Sequence, residues 1–242
     1  MKKFIFAALV MISAHQLGLA GGFEGQGLFN NGDDNGLWYC EYYSSGNQCY
    51  IEGNVSGSIP STATILYIPS SVINNEDFIT RTVTQLGNGS TIIYDQPSFF
   101  SLSTPSTIQS INSYAFANLQ NLTTVVINGS PDIQSNAFSN DPNLTSVYPP
   151  LSGDIGDSAF EGCTKLRNVG LKDGVTKIGK RAFANCKSLR SLTIPKTVVS
   201  IAPDAFVGSG IKYVVMQRGG APINSFPKGV YVTVKQLPYP KK

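Results

Sequence analysis

The sequence predicts a β-rich α/β solenoid, a short array of stacked repeats closed by a cap at each end. Three observations carry that expectation. A motif returns every 22–23 residues between Ile111 and Phe206. Each copy opens a run of apolar residues alternating with period 2, the mark of a half-buried strand. The 242 residues are also rich in turn formers, with 24 Gly and 14 Pro, and only 14% are charged, which disfavours long helices and coiled coils.

The first twenty residues stand apart from this pattern. Met1-Lys2-Lys3 is a basic start, Phe4 to Ile12 an unbroken apolar run, and Gly18-Leu19-Ala20 a small-residue cleavage site. Residues 1–20 therefore read as a secretory signal peptide, too short and wrongly flanked for a membrane span. No later stretch approaches the length of a transmembrane helix, and Gly21 rather than Cys follows the cut, which disfavours a lipid anchor. Cleavage near Ala20 is expected to leave a chain that is secreted, periplasmic or held at the cell surface.

Residues 21–60 read as an aromatic, disulfide-bearing N-terminal cap. Cys40 and Cys49 flank a stretch whose centre, Ser44-Ser45-Gly46-Asn47, is a turn between aromatic strands. Export permits disulfides, so these two are expected to pair, for about 2–3 kcal/mol of stabilisation in so short a loop. Trp38, Tyr39, Tyr42, Tyr43 and Tyr50 cluster around that loop. They are read as a cover for the open end of the core, with a platform for sugars or proteins as the alternative. Asn31-x-Asp33-x-Asn35-Gly36 looks like half of a calcium loop, but its twelfth position is Tyr42 rather than a bidentate Glu. A polar turn is the preferred reading.

Residues 61–107 form a degenerate first repeat, and residues 108–216 hold five regular ones. Ala-Phe pairs stand at Ala115-Phe116, Ala137-Phe138, Ala159-Phe160, Ala182-Phe183 and Ala205-Phe206. Ile111, Ile133, Ile155, Ile178 and Ile201 each precede one Phe by five residues. Leu122, Leu144, Leu166 and Leu189 follow by six, and Ile211 by five. The strands are expected at Leu122-x-x-Val125-x-Ile127 and its counterparts, and Pro149-Pro150 is expected to leave the strand after Leu144 short or distorted. Between strands, Ile-x-x-x-Ala-Phe returns the chain as an irregular or single-turn helical segment. One unit cannot bury its apolar face alone, whereas stacked copies make a continuous core, so this period predicts a leucine-rich-repeat solenoid.

At Ile178-Gly179-x-x-Ala182-Phe183-x-x-Cys186-x-x-Leu189-x-x-Leu192-x-Ile194-Pro195 the chain resembles the BspA-type leucine-rich repeat, a family of exported and surface proteins. Ile68 to Val72 followed by Val83 to Gly87 is similar to the hairpin that opens such arrays. Within 217–242, Ala221 to Val232 looks like their closing strand, followed by a tail. Asp141, Leu119 and Ser209 depart from the family's Cys position. Cys163 and Cys186 occupy it in consecutive units, and the resemblance implies two buried free thiols. A disulfide between rungs is the alternative and needs Cα atoms within about 7 Å.

Chemistry is sparse. His15 is the only histidine and leaves with the signal peptide, which excludes His-dependent catalysis and His-ligated metals from the mature chain. Asp33-Asp34 and Glu76-Asp77 sit naturally in turns, and nothing specifies a nucleophile with its base, a phosphate loop, a metal set or nucleic-acid recognition. No enzyme activity, cofactor or metal is expected.

Charge is more informative. The whole chain carries +3, but Gly21 to Glu161 holds 13 acidic residues and one basic one, Arg81, whereas Gly162 to Lys242 holds 15 basic and two acidic. A solenoid keeps sequence order as spatial order, so the molecule should have an acidic end and a basic end. Arg167, Arg190 and Lys212 fall at matching outward positions of the strand side, where earlier repeats have Thr123 and Thr145. The expected function is non-catalytic recognition of a protein or glycan, on a cell surface or matrix, through the strand-lined face. Arg167, Arg190, Lys212, Tyr148, Thr193 and Tyr213 are its candidate residues. The alternatives are binding of polyanions or cell envelope by the basic half, and end-to-end self-association.

Overall fold

The computed structural model describes residues 101–217 and 226–235 continuously, preceded by residues 25–30, 37–42, 48–54, 65–68, 70–74, 80–87 and 92. It is a β-solenoid of about six turns. On one side, parallel strands stack in sequence order: β4 (Ile65–Tyr67), β7 (Ser101–Thr104), β9 (Thr124–Ile127), β11 (Ser146–Leu151) and β12 (Asn168–Leu171). They continue as a second sheet of β14 (Ser191–Ile194), β16 (Tyr213–Gln217) and β17 (Tyr231–Lys235). In β9 the burial alternates along Thr124-Val125-Val126-Ile127, with both aliphatic in-positions buried and Thr124 and Val126 only partly so. That is the period-2 pattern of the sequence made physical: one face joins the core and the other meets solvent.

On the opposite side the isoleucines stack. Two-residue strands β8 (Ser110–Ile111) and β10 (Asp132–Ile133) pair in parallel with each other. Bridges then join Ile133 to Ile155 and Ile155 to Ile178, and β13 (Lys177–Ile178) pairs with β15 (Ser200–Ile201). Ahead of β8 lies β6 (Thr80–Leu86), antiparallel to β5 (Ser71–Asn74), in the hairpin position. The sheet extends on through β3 (Gln48–Asn54), β2 (Leu37–Tyr42) and β1 (Gly25–Asn30). The side chains of these last three strands, and with them the Cys40–Cys49 pairing, the aromatic cluster and the calcium-like turn, lie outside the described residues.

Between the two sides runs a ladder of phenylalanines. Phe116, Phe138, Phe160, Phe183 and Phe206 are all buried, with successive ring centroids 5.4–5.6 Å apart and nearly parallel planes. Phe226 continues the ladder at 5.6 Å, tilted by 32°. Offset-stacked rings add to the area term, and the alanine before each Phe is fully buried.

The return segments are turns; among the described residues there is no helix, so the helical share of the expected α/β class does not appear. The reason is local. Asn118, Asn140, Gly162, Asn185 and Gly208, each two residues after a Phe, have φ between 58° and 77°. A left-handed residue there ends any helical turn after one cycle, and Asn and Gly are the residues that tolerate it.

The strand after Leu144 is distorted, as its prolines imply, but not short. β11 pairs at Val147 with Val169 and again at Leu151 with Leu171, so Tyr148-Pro149-Pro150 bulges opposite Gly170. The Tyr148–Pro149 peptide is cis. A Cβ on Gly170 would meet the Pro150 ring at 3.1 Å, so the glycine makes room for the bulge.

Candidate strand-face binding surface

The residues just before the strands hydrogen-bond from rung to rung. The backbone N–H of Thr145 donates to the Thr123 carbonyl, Arg167 to Thr145, and Lys212 to Arg190, at 2.8–3.0 Å. This ladder builds a column along the face: Thr123, Thr145, Arg167, then Arg190 and Lys212. All three cations are exposed. A seam separates Arg167 from Arg190, because β12 and β14 belong to separate hydrogen-bonded sheets. The column is therefore one arginine on the near side of the seam and an Arg–Lys pair on the far side.

The predicted aromatic and hydroxyl residues divide in the same way. Tyr148 is 48% exposed, on the β11 bulge, in register with Val126. Thr193 is exposed on β14, opposite Val215. Tyr213 opens β16 opposite Ser191. Tyr148 thus stands apart, whereas Thr193 and Tyr213 share one small sheet with Arg190 and Lys212. That sheet also holds a residue the sequence pattern did not single out: Tyr231, on β17, pairs in register with Tyr213. Their rings stack with centroids 5.8 Å apart at 20°, yet remain 56% and 70% exposed. The spacing does not show it, because the closing strand starts 18 residues after the start of β16, off the repeat period.

Arg190 is held: its guanidinium donates to the Gly210 carbonyl at 3.2 Å. Among the described residues no ion pair holds Arg167, Arg190 or Lys212. Asp173 and Asp204 are the two acidic residues after Gly162. Asp173 follows β12 at the other end of the strands, 3.7 Å from the Lys196 ammonium, and Asp204 lies in a return turn. The opposite side is different in chemistry. There Asp132 accepts from the Asp154 N–H, and Asp154 accepts from the Thr176 and Lys177 N–H groups, so these carboxylates cap the next rung's backbone.

Inside, the position shared by Leu119, Asp141, Cys163, Cys186 and Ser209 forms another column. Cys163 and Cys186 are buried free thiols, donating to the carbonyls of Phe138 and Phe160 at 3.0 and 3.1 Å. Burial pushes the Cys163 thiol well up and the Cys186 thiol up to about 12. Asp141 is fully buried; one carboxyl oxygen accepts from the Leu119 N–H at 2.7 Å and the other has no partner. Desolvation raises its pKa well above the ordinary carboxylate range, against the lowering effect of that one hydrogen bond. Its place inside the core leaves it no access to a surface ligand.

Such an array of stacked parallel strands and turns defines the leucine-rich-repeat class. The BspA type leucine rich repeat region matches residues 89–212 in six copies, one more than the five counted from the Ala-Phe spacing. The chain belongs to that family. Among solved structures it is similar to a leucine-rich cell surface protein of Faecalibacterium prausnitzii, at 22% identity and TM-score 0.66 over 87% of this chain and 55% of that one. It is also similar to the pneumococcal vaccine antigen PcpA, at 21% identity and TM-score 0.53 over 77% of this chain and 49% of that one. A third is the T. pallidum leucine-rich repeat protein, at 17% identity and TM-score 0.51 over 79% of this chain and 88% of that one. The chain spans about half the length of the first two. Comparison with curated protein sequences gave no match. Among the described residues no helix is long and apolar enough to cross a membrane.

Proposed function

We propose that this is an exported, non-catalytic binding module that recognises a macromolecule at a cell surface or matrix through its strand-lined face. The observation that carries this reading is the exposed Tyr213–Tyr231 pair beside Arg190 and Lys212 on a three-stranded sheet. Tyr and Arg are the residue types enriched where surfaces bind, and here they project from a scaffold whose core is fully packed. The basic start and apolar run of residues 1–20 support export, as does the cell-surface description of the F. prausnitzii relative. Fold alone does not fix function; the site supplies the argument.

The test is retention of surface and matrix components on immobilised residues 21–242, at low and high salt. Tyr148→Ala, Thr193→Asp and Tyr213→Ala together should abolish a retention that persists in high salt. Retention untouched by these changes would remove the strand face from the account. End-to-end association of acidic and basic ends would instead show as mass rising with concentration in low-salt sedimentation.

A further inference from the structure

The strand-face reading above leaves the ligand unnamed; the sheet β14–β16–β17 narrows it. We propose that this sheet binds an anionic polysaccharide, with the Tyr213 and Tyr231 rings against a sugar ring and Arg190 and Lys212 on its acidic group. The inference rests on the strand-face reading and on four features of this sheet.

First, two aromatic rings lie in solvent, 56% and 70% exposed, whereas the phenylalanines from Phe116 to Phe206 are buried. Tyr231 sits on the last described strand, so one ring face is covered by Tyr213 and the other is turned away from the array. Second, cations line the same edge. Arg190, Lys212 and the strand starts Ser191, Tyr213 and Tyr231 are connected by one backbone ladder: Lys212 and Tyr213 donate to the Arg190 carbonyl, and Tyr231 donates to the Lys212 carbonyl at 2.8 Å. Rungs in such a sheet are about 4.8 Å apart, so rings and cations repeat together along one line. Third, acidic residues are scarce in this half of the chain. From Gly162 onward there are 15 basic residues against Asp173 and Asp204, which lie at the far end of the strands and in a return turn. Fourth, Ser191, in register with Tyr213, and Thr193 and Thr233, each two residues further along its strand, are exposed.

Each feature selects part of a ligand. A flat aromatic face suits the apolar face of a pyranose, hydroxyls suit its polar rim, and fixed cations suit a carboxylate or sulfate. A neutral glycan leaves the cations unused, and polyphosphate has no ring face for the tyrosines.

Calorimetric titration of residues 21–242 with hyaluronate oligosaccharides, which carry carboxylates, and heparin oligosaccharides, which add sulfates, distinguishes the two acidic groups. Dextran and polyphosphate are the controls. Binding of at least one anionic glycan is expected, weakened about five- to tenfold by Tyr231→Ala or Tyr213→Ala. The Phe variants at both positions keep the rings, guard against misfolding, and should bind within about twofold of the unaltered chain. Arg190→Gln with Lys212→Gln should weaken binding and flatten its salt dependence. Failure of both glycans to bind at low salt overturns the proposal. So does equal binding of dextran or of polyphosphate, or indifference to the Tyr→Ala changes. If the glycans fail while the strand-face variants still lose another surface component, this inference falls and the strand-face reading stands.

Discussion

Replacing Asp141 by Cys should make the protein more stable at neutral pH. The position lies in a column with Cys163 and Cys186, and these three side chains take a backbone N–H of the rung before: Leu119 to Asp141, Asp141 to Cys163, Cys163 to Cys186. A thiol at 141 keeps that acceptor, and by analogy with Cys163 and Cys186 its proton has a rung carbonyl to meet. It removes the second carboxyl oxygen, which is buried without a partner. Leaving such a group unsatisfied costs about 1–3 kcal/mol, more when it is charged. For a chain of this size about 1 kcal/mol moves Tm by roughly 2–4 °C, so a gain of about 2–12 °C follows. The pH dependence has a definite sign. The folded pKa of Asp141 is raised above its unfolded value, so its contribution is most favourable below about pH 3.9 and is lost as pH rises through the folded value. The variant's advantage should therefore be smallest in acid and open as pH rises toward 7. Thermal unfolding under reducing conditions, from pH 3 to 8, measures it. A variant less stable than the parent at pH 7, or a difference that does not change with pH, would refute the reasoning.

Other consequences are simpler. Phe160→Ala removes a ring stacked at 5.4 Å on both Phe138 and Phe183 and should cost about 3–5 kcal/mol in denaturant unfolding. Because each repeat contacts only its neighbours, the half-buried Phe226 at the end of the ladder should cost visibly less on the same change. Cys163 and Cys186, buried and pushed up in pKa, should react with a thiol reagent only at the rate of unfolding. Rapid labelling of the native chain would contradict their burial.

The core of this fold was readable because its determinants recur in the chain. Ile, Ala, Phe and Leu come back at fixed offsets, and each offset became one stacked column, from the Ile133–Ile155–Ile178 bridges to the phenylalanine ladder. What did not recur was not readable. The Tyr213–Tyr231 pair depends on a closing strand outside the period, and so on a register that spacing cannot supply. The seam between β12 and β14 is a property of hydrogen bonding between rungs, and it divides a cation column that looks uniform in the sequence. Pro149 and Pro150 announced a distortion after Leu144 but not that the strand resumes at Leu151, since that rests on Gly170 in the next rung. Asp141 was visible as a departure from a Cys position, while its unpartnered oxygen follows only from packing.

The central claim is that recognition belongs to the strand side and not to the return turns. Two triple charge reversals of equal size separate these: Arg167→Glu, Arg190→Glu and Lys212→Glu on the strand side, and Lys177→Glu, Lys180→Glu and Lys187→Glu on the return side, all six positions being exposed. Both change the net charge by the same amount, so nonspecific attraction falls equally in each. Measured as retention of surface and matrix components at two salt concentrations, binding should be lost in the strand-side variant and largely kept in the return-side one. Equal loss in both, or loss confined to the return side, would contradict the account.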